Sequence, residues 1–121
     1  MRKNKHIDLY NNGNHARDFT YIDDCVNGIV STFQYVIKTK KPVYEIFNIS
    51  SNRKVSLKKV IYLLEKKLKK KFKKKFLPLQ KGDIRDTFGS IKKLKKFSGY
   101  KSEVNFEKGI SNIIEWFNKS K

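Results

Sequence analysis

Apolar and polar positions alternate at the start of the chain. Over residues 6–12, Ile7, Leu9 and Asn11 oppose Asp8, Tyr10 and Asn12, and this period of two predicts a short strand. Asn12-Gly13-Asn14 then predicts a turn, because Gly and Asn tolerate positive φ. The pattern changes to helical spacing after Asp23 and Asp24, whose carboxylates are expected to cap a first helix. Val26, Ile29, Val30, Phe33 and Ile37 fall on one face of it, and Lys38–Lys41 followed by Pro42 ends it. Residues 43–49 form a β-branched and aromatic run, expected to be a strand. Ser56 is the expected N-cap of a second helix with the stripe Leu57, Val60, Ile61, Leu64 and Leu68. The run Phe72–Phe76 reads as a solvated edge strand, and residues 77–83 as a loop. Ser90 is expected to cap a short helix with Ile91, Leu94 and Phe97 inward, closed by Gly99. Asn105 is expected to cap a last helix with Ile110, Ile113, Ile114 and Phe117 on the core side, Trp116 flanking them and Gly109 at a close helix contact. The order strand, helix, strand, helix, strand, helix, helix is α/β in character, without repeats or flexible linkers.

Length and composition narrow this picture. The 121 residues suit one domain with a modest core. No apolar run approaches the roughly 20 residues a membrane helix needs, and the polar Met1–Lys5 gives no sign of a signal peptide. With Cys25 as the single cysteine, no internal disulfide forms, which fits a cytoplasmic setting. Cys25 reads as a small packing residue. The formal net charge is +18, carried by 25 Lys and only four Arg. Two readings follow. AT-rich coding DNA enriches Lys, Asn, Ile, Phe and Tyr together, which makes the lysines ordinary surface residues. Alternatively, the chain is a small Lys-rich module that binds nucleic acid or other polyanions through residues 66–75, eight of which are Lys. An Arg-poor surface suits loose, non-specific attraction, because bidentate phosphate and base contacts favour Arg.

The motifs carry more. Arg17-Asp18-Phe19-Thr20-Tyr21-Ile22-Asp23-Asp24 runs straight into the first apolar helix. Together with Tyr10-Asn11-Asn12-Gly13, Tyr44–Ile49, Leu77-Pro78-Leu79-Gln80-Lys81-Gly82-Asp83, Gly99-Tyr100-Lys101 and Gly109-Ile110 leading to Trp116-Phe117, it resembles the extended short-chain dehydrogenases of the NAD-dependent epimerase/dehydratase family. Within that family the chain looks most like the UDP-glucuronate 4-epimerases, isomerases of polysaccharide biosynthesis.

The resemblance implies an α/β C-terminal fragment over residues 1–121, with the Rossmann nucleotide-binding core missing. Residues 17–49 would complete the Rossmann lobe with its last helix and strand. Residues 5–16 and 50–121 would form the small substrate-binding lobe. It further implies that the cofactor loop and the catalytic Tyr-x-x-x-Lys lie upstream and are absent here. No residue is therefore expected to be catalytic or cofactor-binding, and the chain alone is expected to hold no cofactor and to be inactive. The complete enzyme would use NAD and a UDP-sugar, UDP-glucuronate or UDP-galacturonate, and would be a homodimer without a membrane partner. The chain itself would be a C-terminal fragment, a split gene product that works with a separate Rossmann half, or a decayed relative. An exposed strand at residues 44–49 then predicts poor solubility for the chain alone.

By resemblance, Arg17 contacts the substrate diphosphate; its alternative is an ion pair with Asp18 or Asp23. Asp83 accepts from the ribose hydroxyls, or stabilises the turn after Gly82. Arg85 approaches the phosphates or is a surface residue, Tyr10 stacks on uracil or is a half-buried strand tyrosine, and Gln80 reaches the substrate from the same loop. His6 and His15 have no metal-ligand spacing and read as surface residues. The chain departs from the family where Gly89-Ser90 replaces Ala-Asp, so any ligand duty of that Asp is lost.

Overall fold

The structure, a computed structural model, describes residues 6–120. In order, these residues form β1 (Ile7–Leu9), a 3-10 turn (Tyr10–Gly13), β2 (Ala16–Asp18), α1 (Ile22–Lys38), β3 (Lys54–Ser56), α2 (Leu57–Leu68), β4 (Lys74–Phe76), α3 (Lys92–Ser98) and α4 (Phe106–Lys119). The expected polar Met1–Lys5 and the lobe boundary at residue 5 lie outside the described residues.

Two small sheets organise the chain. In one, β1 and β4 run parallel, Ile7 opposite Lys74 and Leu9 opposite Phe76. The lysine run therefore does contain a strand, as the sequence predicts. Glu65, almost fully buried at the end of α2, ties this run down by accepting from the Phe72 N–H at 2.8 Å and the Lys74 ammonium at 2.7 Å. In the other sheet, β2 and β3 are antiparallel, with Arg17 opposite Val55. Neither of these three-residue strands was expected. The first strand is also shorter than its alternating pattern, because Asn11 and Asn12 turn at φ 51° and 53° into the 3-10 turn.

Helix caps follow local chemistry in two of four cases. Ser56 Oγ accepts from the Lys59 N–H at 3.2 Å, and Asn105 Oδ1 accepts from the Lys108 N–H at 2.9 Å. Ser90 does not cap α3; Ile91 occupies that position without a side-chain bond. Gly99 closes the same helix at φ 73°, a conformation that costs other residues a Cβ clash. Tyr21 precedes α1, again without a side-chain cap. Asp24 does not cap its own helix. It is 1% exposed and accepts instead from Ser102 Oγ at 2.8 Å, the Glu103 N–H at 2.9 Å and the Val104 N–H at 3.1 Å. It thereby pins α1 to the segment that leads into α4. Gly109 does allow a close contact, but with the extended residue before α1 rather than with a helix: an added Cβ would stand 3.2 Å from the Tyr21 ring.

One core gathers Ile91, Leu94 and Tyr100, with Phe47 and Ile49 packed against it. Tyr35 of α1 and Phe97 join it in edge-on ring contacts, with centroids 5.2–6.1 Å apart. Leu9, Ile61, Leu63 and Ile110 are buried elsewhere. Leu63 was not on the stripe predicted for α2.

The largest correction concerns α1 and residues 43–49. The stripe Val26, Ile29, Val30, Phe33 and Ile37 does not face the core; Phe33 is 64% and Ile37 66% exposed. Among the described residues, 43–49 pair with no strand. The segment nevertheless has two sides: Phe47 and Ile49 face inward, while Tyr44 is almost fully and Ile46 largely exposed. Both features are apolar surfaces of the kind that sheet packing normally covers. Among the described residues, no helix is long and apolar enough to cross a membrane.

Candidate functional site

β2 is hydrogen-bonded on both sides. β3 flanks it on one edge. On the other, the Ala16 N–H donates to the Arg85 carbonyl at 3.1 Å, and the Thr87 N–H donates to the Ala16 carbonyl at 3.1 Å. This framing brings residues 83–87 against a strand nearly 70 positions earlier.

Arg17 is the main product of that arrangement. Its guanidinium is about one-third exposed. Nη1 donates to the Arg85 carbonyl at 2.7 Å and to the Ala16 carbonyl at 3.0 Å, and Nη2 donates to Asp83 Oδ1 at 3.4 Å. The two Nη1 hydrogens are thus spent on carbonyls that fix the plane of the group. Nε and the second Nη2 hydrogen have no hydrogen-bond partner among the described residues. A planar cation held by its rear donors, with two donors left over, is suited to an anion with several oxygens. Arg17 therefore pairs with neither Asp18 nor Asp23.

Asp18 has its own duty. Its carboxylate accepts from the Ser51 N–H at 2.9 Å, from Ser51 Oγ, and from the Gly89 N–H at 3.2 Å. Ser50 Oγ donates to the Gly89 carbonyl at 2.6 Å, and a Cβ at position 89 would stand 2.5 Å from that hydroxyl oxygen. The Gly89-Ser90 departure is thus matched by Ser50, which fills the space beside Gly89.

The other predicted residues lie on the same loop system. The Asp83 N–H donates to the Gln80 carbonyl at 3.2 Å and forms the turn around Gly82, while the Gln80 side chain is exposed. The Asn12 N–H donates to the Leu77 carbonyl at 3.0 Å, which ties the half-buried Tyr10 turn to the loop of Gln80 and Asp83. Arg85 contributes through its carbonyl, which takes bonds from Ala16 and Arg17; its side chain is exposed. Hydrogen bonds therefore join Arg17, Asp83 and Arg85 directly, whereas Tyr10 and Gln80 connect through backbone.

Sequence reasoning missed His15. It is not a surface residue: only 7% of it is exposed. Nδ1 lies 3.2 Å from the Arg85 carbonyl, and Nε2 lies 3.4 Å from Asp83 Oδ2. Only its position two residues before Arg17 could have flagged it. His6, by contrast, is exposed beside Asp8, as expected.

The expected absence of a Tyr-x-x-x-Lys spacing also needs correction. Tyr62 and Lys66 have that spacing on α2. Tyr62 is 58% exposed and lines an open concavity of about 360 Å³ with Glu65, Lys66 and Lys69–Lys71. No cluster of metal-ligating side chains occurs among the described residues.

Residues 1–113 match the family described as GDP-mannose 4,6 dehydratase. An uncharacterized protein of Methanocaldococcus jannaschii is 44% identical over 117 residues, which are 97% of this chain and 34% of that protein. A UDP-glucuronate 4-epimerase of Thermodesulfobacterium geofontis is 33% identical over 93% of this chain and 33% of its own length. Among solved structures, the UDP-glucuronic acid 4-epimerase of Bacillus cereus in complex with UDP-glucuronic acid and NAD superposes with a TM-score of 0.83. It is 30% identical over 97% of this chain and 36% of that one. The chain thus spans about a third of the length of the relatives it matches.

Proposed function

We propose, because the chain belongs to the NAD-dependent epimerase/dehydratase family, that Arg17 and Asp83 are the nucleotide-facing pair of a UDP-sugar site of the UDP-glucuronate 4-epimerase kind. The observation that carries this reading is the 3.4 Å approach of Arg17 Nη2 to Asp83 Oδ1 across 66 positions of sequence. Arg17, with its remaining donors, faces the diphosphate. Asp83, on the adjoining turn, accepts from the ribose hydroxyls. Tyr10 lies against the same loop and stacks on the uracil, and Gln80 and Arg85 border the site.

The chain on this reading is the C-terminal part of the extended fold. The open face of α1 and the outward side of residues 43–49 then belong against a Rossmann lobe. In the complete enzyme NAD would accept and return a hydride. The residues present do not fit that cofactor, since no glycine-rich phosphate loop accompanies them, and no part of the hydride transfer is assigned to them. Their task is to hold the nucleotide end of the substrate, and catalysis by this chain alone is not expected.

Calorimetric titration of the chain with UDP and with inorganic pyrophosphate tests this. Saturable UDP binding should weaken about tenfold or more in Arg17→Gln, because a charge-assisted contact contributes about 1.5–3 kcal/mol. Asp83→Asn should weaken UDP more than pyrophosphate. Equal UDP affinity in wild type and Arg17→Gln would refute the assignment.

A further inference from the structure

We propose that His15 is a positioning residue for Asp83, and that its protonation sets how tightly the Arg17–Asp83 pair holds a nucleotide diphosphate. The inference rests on the nucleotide reading above.

The argument begins with burial. His15 is 93% enclosed, and its Nε2 has no hydrogen-bond partner among the described residues although Asp83 Oδ2 is 3.4 Å away. A buried polar atom left without a partner is costly in an ordinary packed position. Here it stands 3.4 Å from the carboxylate of the candidate site without a hydrogen bond to it.

Both ring nitrogens face oxygens that only accept. Nδ1 lies in hydrogen-bond geometry 3.2 Å from the Arg85 carbonyl, whereas Nε2 makes no hydrogen bond at 3.4 Å from Asp83 Oδ2, so the hydrogen of the neutral ring is assigned to Nδ1. In the neutral ring Nε2 then presents a lone pair to the negative Asp83 oxygen. That contact is repulsive, and it leaves Asp83 to Arg17, 3.4 Å away on the opposite oxygen. Protonation reverses the sign. Nε2–H then donates to Asp83 Oδ2, and the carboxylate is shared between two cations. Asp83 hands part of its charge to His15, and its hold on the Arg17 guanidinium loosens. The site also gains one positive charge, and an incoming diphosphate meets a less neutralised Arg17.

The other groups around His15 do not replace this contact. Asp86 accepts from the Ala16 N–H at 3.2 Å and pairs with Lys54 at 3.2 Å. Lys58, on the helix whose first N–H donates to the His15 carbonyl, is held by Asn14 at 2.7 Å. Arg85 turns its carbonyl, not its exposed side chain, toward the ring. Asp83 is the anion that faces Nε2.

The test uses UDP-glucose, whose diphosphate diester keeps a constant charge from about pH 8 to pH 5.5, the range in which imidazoles respond. Wild-type affinity should rise at least about fivefold across that range, the lower end of typical coupling between sites. His15→Gln, which offers Asp83 a permanent amide donor but no charge, should bind with little pH dependence and between the basic and acidic wild-type affinities. His15→Leu should bind weakly at every pH. Long-range proton–nitrogen NMR of the wild-type imidazole should show the neutral ring protonated at Nδ1. A neutral ring protonated at Nε2, or the same pH profile in wild type and His15→Gln, would overturn the proposal. If UDP-glucose binds at no pH, the nucleotide reading fails and the pH control falls with it. The imidazole spectra would then still decide the His15–Asp83 contact by themselves.

Discussion

Asp24→Ala should be among the most damaging single substitutions in this chain. The side chain is 1% exposed, and its two oxygens collect one hydroxyl and two backbone N–H donors from residues 102–104 at 2.8–3.1 Å. Hydrogen bonds to a charged acceptor contribute about 1.5–3 kcal/mol each, so three would sum to roughly 5–9 kcal/mol if every donor were stranded. The donors are only partly buried, and water will reach some of them once the carboxylate is gone. That lowers the expected cost to about 3–4 kcal/mol, a large share of the 5–15 kcal/mol that stabilises a typical domain. Urea unfolding should show a midpoint lower by roughly 1.5–2 M, for a denaturant slope in the usual range for small proteins. Amide exchange at Glu103 and Val104 should quicken beyond the global change, because those N–H groups lose their acceptor. Asp24→Asn keeps one acceptor oxygen and should fall between the two. A midpoint shift below about 0.5 M in Asp24→Ala would refute the reasoning, since Asp24 would then not be what ties α1 to the α4 approach.

Gly28→Ala places a Cβ 2.6 Å from Ile49 Cγ2. Overpacking should outweigh the helix propensity gained and cost about 1–2 kcal/mol net, read as a lower melting temperature; a higher one would contradict the packing described. The Glu65 carboxyl is held below its ordinary 4.5 by the Lys74 hydrogen bond and then by the Phe72 N–H. A group with a lowered folded value stabilises the protein above its unfolded value and stops doing so as pH falls through the folded one. Melting of the wild type should therefore drop more steeply than that of Glu65→Gln below about pH 4.5, and parallel curves would argue against the tie. Phe33→Asp combined with Ile37→Asp should reduce self-association, seen by light scattering, with little change in melting because both residues are about two-thirds exposed. A large loss of stability would mean that this face is already covered.

What the sequence disclosed was local. Ser56, Asn105 and Gly99 act within one helical turn, and each is found in its expected role. Helix α1 was legible from its spacing, but the direction of its apolar face was not. Periodicity reports that a stripe exists, not which surface covers it, and here Gly28 and Tyr35 face the core while the stripe faces out. Residues 43–49 have strand chemistry without strand partners in the described chain. β2 and β3 were invisible because three residues give no alternation to count, and their pairing depends on contacts far apart in sequence. His15 was misjudged for the same reason: its ring nitrogens meet Asp83 and Arg85, about 70 positions later. Arg17 and Asp83 were singled out through motif resemblance, and the chain brings them together.

The central claim is that the Arg17–Asp83 corner is where a nucleotide diphosphate sits. NMR of the arginine side-chain Nε–H signals during a UDP titration tests it most directly, since the chain has only four arginines to resolve. The account predicts a saturable shift of the Arg17 signal. A still Arg17 signal, with movement confined to the backbone of Lys66–Lys75, would contradict it and leave loose attraction of anions to the lysine run.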